Sequence, residues 1–244
     1  MSDMLGRFRA AVALDLMTLA PLHDRELDRA VIEALRRDAF PDGLALVLES
    51  ELGRAATATL AAAVRQLETD ARQVDELAAD FAAIYLTHGY AASPCESVWL
   101  DEEGLAMQQP MFQVRQFYAR HGMGVPDWRK RADDHLVYQL QFLAALLEAE
   151  EPQALAEAAR FLDEHALRWV PDFARRVTSR AATAFYAGLA MLTAAYLEEL
   201  RDTLAVILGA PRPSAEEIEQ RMKPPREQVL PTPARYVPGA APGW

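Results

Sequence analysis

The sequence predicts an all-α fold, a single helical domain of about nine to eleven helices followed by a Pro-rich extended tail. Two patterns carry that prediction. Apolar residues recur at steps of three and four through most of the chain, and no segment alternates with the period of two that a half-buried strand requires. The breaks between periodic segments fall at proline and glycine, as helix ends do. With 51% hydrophobic residues in 244, the chain has ample material for one sizeable core.

Taken in order, Leu5, Phe8, Val12, Leu16 and Leu19 fall on one face of a first helix that Pro21 stops. A second helix over 24–38 is bounded by the turn Pro41, Asp42, Gly43. An apolar stretch, 44–52, precedes an Ala-rich helix over 54–67, whose small side chains let a neighbouring helix approach closely. The helix over 70–88 leads into the longest internal break. After it, Met107, Met111, Val114, Phe117 and His121 mark a helix in whose first turn Pro110 is tolerated, and Gly122 ends it. Leu136, Leu140, Leu143 and Leu147 mark the next, with Asp133 and Asp134 placed to complement its dipole. Pro152 opens a helix that ends near His165, and Trp169, Phe173 and Val177 continue the pattern. The last long helix shows Phe185, Leu189, Leu192, Tyr196, Leu200, Leu204 and Ile207, and Gly209 closes it. Within it, residues 181–197 are uncharged, but the pattern runs on into Glu198 and Glu199, which marks a buried core helix rather than a membrane span. The domain is therefore placed at 1–209 and the tail at 210–244, which holds eight of the 15 prolines and is read as extended, with Val229, Leu230, Tyr236 and Trp244 available for packing.

The formal charge of −11 argues against nucleic acid as a partner and suits a basic peptide. Cys95 is the only cysteine, which excludes an internal disulfide and fits a reducing compartment. Arg7 and Arg9 precede a short apolar run that Asp15 interrupts, so the N-terminus reads as mature sequence. The lysines, Lys130 and Lys223, do not follow a glycine, which removes the phosphate-binding Gly-Lys-Ser/Thr loop. None of His23, His88, His121, His135 and His165 has a Glu three residues earlier, so the carboxylate-bridged di-iron bundle is excluded. No metal site or cofactor motif is found. A thiol catalyst built on Cys95 with Asp134 and His135 is the enzymatic alternative, as a small helical enzyme or nucleotide-dependent switch.

The internal break, 81–105, combines Phe81, Ile84 and Tyr85 on the preceding helix with Ser93-Pro94-Cys95-Glu96-Ser97-Val98-Trp99-Leu100. A loop that long with this apolar content is a functional candidate. Together with Asp133-Asp134-His135-Leu136 and with Phe161, Leu162, His165, Trp169 and Phe173, it resembles the TorD/DmsD family of redox-enzyme maturation chaperones. The likeness covers about residues 1–209. Cys95 stands where the family's loop motif has Tyr or Trp, and Arg131 where an acid often precedes the Asp-His pair. The resemblance implies an all-helical cytoplasmic protein, a monomer or domain-swapped dimer without cofactor, catalysis or membrane insertion. It implies binding of the twin-arginine signal peptide and precursor of a molybdenum-cofactor oxidoreductase, held for cofactor insertion. The implied contact residues are Phe81, Ile84, Tyr85, Pro94, Cys95, Glu96, Ser97, Trp99, Asp133, Asp134 and His135. Trp99, Tyr85 and Phe81 would supply apolar surface, and Glu96, Asp101, Glu102, Asp133 and Asp134 the carboxylates for arginine.

Overall fold

A computed structural model describes residues 2–223, and its regular elements are helical. Unit one, residues 2–213, holds ten α-helices: α1 (Ser2–Leu22), α2 (Arg29–Arg37), α3 (Glu51–Gln66), α4 (Ala71–Phe81), α5 (Ser97–Leu100), α6 (Gln109–Arg120), α7 (Leu136–Glu148), α8 (Ala154–Glu164), α9 (Val170–Arg180) and α10 (Ala184–Leu208). Local chemistry sets their starts. Asp28, Ser50 and Asp70 each accept a hydrogen bond from the backbone N–H three residues on, capping α2, α3 and α4. Pro110 and Pro171 sit in first turns, where their missing N–H is no loss. Gly209, at φ 62°, ends α10 in the left-handed region.

Packing follows the apolar faces. α1 lies against α7, and α10 lies against α3, α8 and α9. Trp169, Tyr186, Tyr196, Phe117, Phe161, Phe173 and Phe185 are fully buried in one continuous core. The Ala-rich face of α3 meets α10 at Gly188, where a Cβ would lie 3.0 Å from the Leu60 Cα. No helix among the described residues is long and apolar enough to cross a membrane, as residues 181–197 predicted.

Carboxylates, of which Asp15 and Asp80 are buried, join the helices where the chain is irregular. Asp15, in the middle of α1, accepts from the Ala45 and Leu46 N–H groups and from the Tyr196 hydroxyl at 2.8–3.0 Å. The apolar stretch 44–52 is thus pinned chain up to residue 50, with α3 starting at Glu51. Glu199 of α10 accepts from the Glu49 and Ser50 N–H groups, and Asp80 of α4 accepts from those of Ala182 and Thr183 at the start of α10.

Several boundaries differ from the periodicity. α1 carries Pro21 in its last turn, where the missing N–H costs one intrahelical bond and the helix ends one residue later, and residues 25–28 are not helical because Asp28 starts the next helix. The helix predicted to reach residue 88 ends at Phe81 and widens into a π turn, Ala82–Leu86, closed by the Thr87 N–H on the Ala82 carbonyl at 2.8 Å. Met107 lies before α6 at φ 59°, and His121 caps that helix's end. Unit two begins at Ser214 and contains α11 (Ala215–Met222), opened by a capping box between Ser214 and Glu217. That helix replaces extended chain at the start of the predicted tail. Ser214 and Glu217 carry the capping-box spacing, which the reading of the prolines passed over. Val229, Leu230, Tyr236 and Trp244 lie outside the described residues.

Replacing Gly188 by Ala is expected to cost about 1–3 kcal/mol, because backbone of α3 must move to admit the methyl group; urea denaturation measures it.

Candidate functional site

The break between α4 and α6 is fastened to the start of α7. Cys95 and His135 form an isolated antiparallel bridge. The Glu96 N–H donates to the Asp134 carbonyl at 3.2 Å and the Leu136 N–H to the Pro94 carbonyl at 2.8 Å. Beside this bridge, one oxygen of Asp134 accepts from both the Ser97 N–H and hydroxyl, at 2.7 and 2.6 Å. Its other oxygen is buried with no partner among the described residues. Burial raises the Asp134 pKa, the Ser97 bonds oppose the rise and the Glu96 charge adds to it.

Glu96 is also fully buried. Gln139 of α7 donates to it at 2.6 Å, His165 at the end of α8 meets it at 2.9 Å, and Trp169 donates to the Gln139 carbonyl at 3.1 Å. Asp133 is buried under Arg115, which grips it with two nitrogens at 3.0 and 2.9 Å. The cap of α7 is therefore His135, whose Nδ1 accepts from the Val137 N–H at 3.2 Å; Asp133 and Asp134 turn away to Arg115 and Ser97 instead of facing the helix dipole.

This fastening forms one wall of a cleft of about 610 Å³. Phe81, Tyr85, Pro94, Cys95, Val98 and His135 line it, together with Leu86, Leu105 and Met107, three apolar side chains that are 61%, 48% and 39% exposed. Phe81 and Tyr85 stack at 4.7 Å. Behind them His23 bridges Tyr85 at 2.6 Å and Thr193 at 2.8 Å. Thr193 gives its own proton to the Leu189 carbonyl, so His23 carries its hydrogen on Nε2 and receives the Tyr85 hydroxyl on Nδ1. Burial pushes the pKa of His23 down to about 3 and, with the Arg131 charge adding, that of His135 down to about 3. Both rings are neutral.

Five of the predicted contact residues, Phe81, Tyr85, Pro94, Cys95 and His135, share this cleft. Ile84 is fully buried in the core, and Glu96, Ser97, Asp133 and Asp134 are buried in the fastening, so none of the three acids among them offers a free carboxylate to an incoming arginine. Asp101 accepts from the Glu103 and Leu105 N–H groups of its own turn, and Glu102 is exposed. Trp99 is not on the cleft. Its indole donates to the Ser93 carbonyl at 2.8 Å, its ring stands edge-on to Phe173, and it lines a separate hollow with Arg175 and Arg176. Adjacent residues of a single helical turn, Val98 and Trp99, thus face different surfaces. Asp24, which lines the cleft mouth and pairs with Arg131, was missed because the contact joins residues far apart in sequence.

The arrangement has no nucleophile and base. Burial pushes the Cys95 thiol up to about 12, His135 is a neutral helix cap, and Asp134 is held by Ser97. On these three residues the burial and hydrogen bonds are those of a packed joint, with no activated thiolate.

The family model "Nitrate reductase delta subunit" matches residues 48–175, just over half of the chain and the segment that contains the fastening and the core behind it. This chain belongs to that family, the TorD/DmsD-type maturation chaperones. Chaperone protein TorD of Vibrio cholerae serotype O1 is similar, 35% identical over 133 residues, 51% of this chain. The chain spans 60% of the length of that relative. Chaperone protein TorD of Vibrio parahaemolyticus serotype O3:K6 is 28% identical over 184 residues, 72% of this chain and 86% of that protein, and TorD of Psychrobacter sp. is 31% identical over 137 residues, 53% and 62%. In this TorD-family chain the loop motif and the Asp-His pair meet as one structural joint.

Asp134→Ala is expected to lower stability by about 2 kcal/mol or more, since two buried donors of Ser97 lose their acceptor, as read by urea denaturation. The neutral histidines set a second expectation. Each has a folded pKa below its ordinary 6.5, so its contribution is complete above that value and is lost as pH falls towards 3, by up to about 1.4 kcal/mol per pH unit. Asp134, with a raised pKa, acts in the opposite sense and favours the fold below its ordinary 3.8. Thermal unfolding between about pH 7 and pH 5 should show falling stability, with a shallower fall in His23→Gln.

Proposed function

We propose that this chain is a non-catalytic cytoplasmic chaperone that holds the twin-arginine signal peptide of a molybdenum-cofactor oxidoreductase precursor until its cofactor is inserted. The observation that carries this reading is the convergence of Leu86, Leu105 and Met107 on the ring-lined cleft. A signal peptide has an apolar middle, and covering an exposed leucine contributes roughly 1.5–3 kcal/mol. The fastening at Asp134 and Glu96 supports the reading in a second way. It fixes the cleft wall before a ligand arrives, so little ordering cost is left to binding.

Family membership supports the class of activity, as the relatives are named chaperone proteins. No residue here is asked to make or break a bond. Apolar surface gives affinity in this reading, and the basic end of the leader sets orientation.

Isothermal titration with twin-arginine signal peptides from several molybdenum-cofactor oxidoreductases tests it. At least one peptide is expected to bind, and Leu86→Ser with Leu105→Ser, both at exposed positions, to weaken that peptide about tenfold or more while leaving the thermal midpoint unchanged. Binding that ignores both substitutions, or no binding by any peptide, would overturn the assignment.

A further inference from the structure

The cleft meets charge at its mouth. Among the described residues that line it, Asp24 is the single carboxylate, against Lys130 and Arg131. Asp24 sits on the turn that closes α1, its N–H donating to the Pro21 carbonyl at 3.1 Å. Arg131 sits on the turn before α7, its N–H donating to the Asp127 carbonyl at 3.2 Å. Their side chains form an ion pair across the mouth, each about one-third exposed, and the Arg131 guanidinium also lies 5.6 Å from the Tyr138 ring centroid. The one acid of the cleft is thus already occupied by a guanidinium of the protein itself.

We infer that Asp24 is the carboxylate that receives an arginine of the bound segment, and that Arg131 is a built-in competitor that the ligand must displace. This rests on the reading of the cleft as a peptide site. The seat is of the right kind, because it already holds a guanidinium of the protein itself. An apolar segment lying against Tyr85, Leu86 and His135 brings an adjoining arginine to the mouth, where it meets Asp24. Exchange of one guanidinium for another conserves the charge-assisted bonds to Asp24, and the displaced Arg131 keeps a ring face in Tyr138. A lysine, which lacks the planar fork, replaces the pair less well. Arg131 therefore sets a threshold that selects arginine over lysine and over uncharged residues.

The test is titration of the full chain with three synthetic peptides that share one Leu/Ala segment and begin with Arg-Arg, Lys-Lys or Gln-Gln. Arg131→Gln is expected to tighten the Arg-Arg peptide about threefold or more, to narrow its lead over Lys-Lys, and to leave Gln-Gln unchanged. Asp24→Asn is expected to bring Arg-Arg down to the level of Gln-Gln, and in the double variant these two peptides bind alike. Weaker or unchanged binding of Arg-Arg by Arg131→Gln overturns the inference, as does an Arg-Arg preference that survives Asp24→Asn. Loss of all three peptides in both single variants, with lowered thermal midpoints, makes the pair merely structural and also overturns it. If Gln-Gln binds and Leu105→Ser abolishes that binding while Asp24 and Arg131 are silent, the cleft reading stands and this one falls. If no peptide binds the unmodified chain, both fall.

Discussion

Everything around the cleft depends on one carboxylate oxygen. Asp134 takes two hydrogen bonds from Ser97 with its Oδ2, and in doing so ties the break after α4 to the first residues of α7. The antiparallel bridge between Cys95 and His135 runs alongside, and Glu96 continues inward to Gln139, Trp169 and His165. Apart from the half-buried Cys95, each of these groups is buried, and in a low-dielectric interior such a network is strong only while every member has its partners. Among the described residues, the unpaired Oδ1 of Asp134 is its one open position. A segment that would otherwise be a long irregular loop is thereby fastened by hydrogen bonds to the start of α7.

The same device recurs through the fold. Asp15 holds residues 45 and 46, Glu199 holds 49 and 50, and Asp80 holds 182 and 183. In each case a helix lends a carboxylate to backbone N–H groups that have no helical partner, which satisfies donors that would be costly to bury alone. The net charge of −11 is therefore not a surface property alone, since part of the acid content holds connections in place. The reading of acidity as a general attraction for basic peptides passes over this division of labour. At the cleft, where the attraction would matter, Asp24 stands against Lys130 and Arg131.

Helix order and the long α10 were legible from period and glycine, and the alanines of α3 marked a face open to close approach without naming α10 as the neighbour. That the 93–100 segment and the Asp-His motif share one locale was implied by the family resemblance and was not legible in spacing or charge. Nor was the direction in which each acid points. An acid just before a helix reads as its cap, and Asp134 would have been that cap had Ser97 not offered two donors from a segment 37 residues away. His135, left at the boundary, takes the capping role because its Nδ1 is free to accept. Val98 and Trp99 show the same limit, since one helical turn sends neighbours to different surfaces. The π turn at Ala82–Leu86 has no sequence marker either, and it is the element that carries Tyr85 and Leu86 on the cleft.

This geometry separates residues that build the cleft from residues that touch what enters it. Glu96, Ser97, Asp133 and Asp134 are buried behind the wall formed by Pro94, Cys95 and His135 and are bonded to the chain on either side of it. A binding defect after substitution of Asp133 or Asp134 therefore reports on the joint, whereas His135 belongs both to the joint and to the cleft lining. Side chains without a motif complete the cleft beside Pro94, Cys95 and His135: Leu86, Leu105 and Met107 add exposed apolar surface, and the Asp24–Arg131 pair adds charge. The consequence is a scaffold whose wall is held by buried hydrogen bonds while its preference is tuned at exposed positions that the joint does not use. Two chains of this fold can then share the whole fastening and still differ in what they hold.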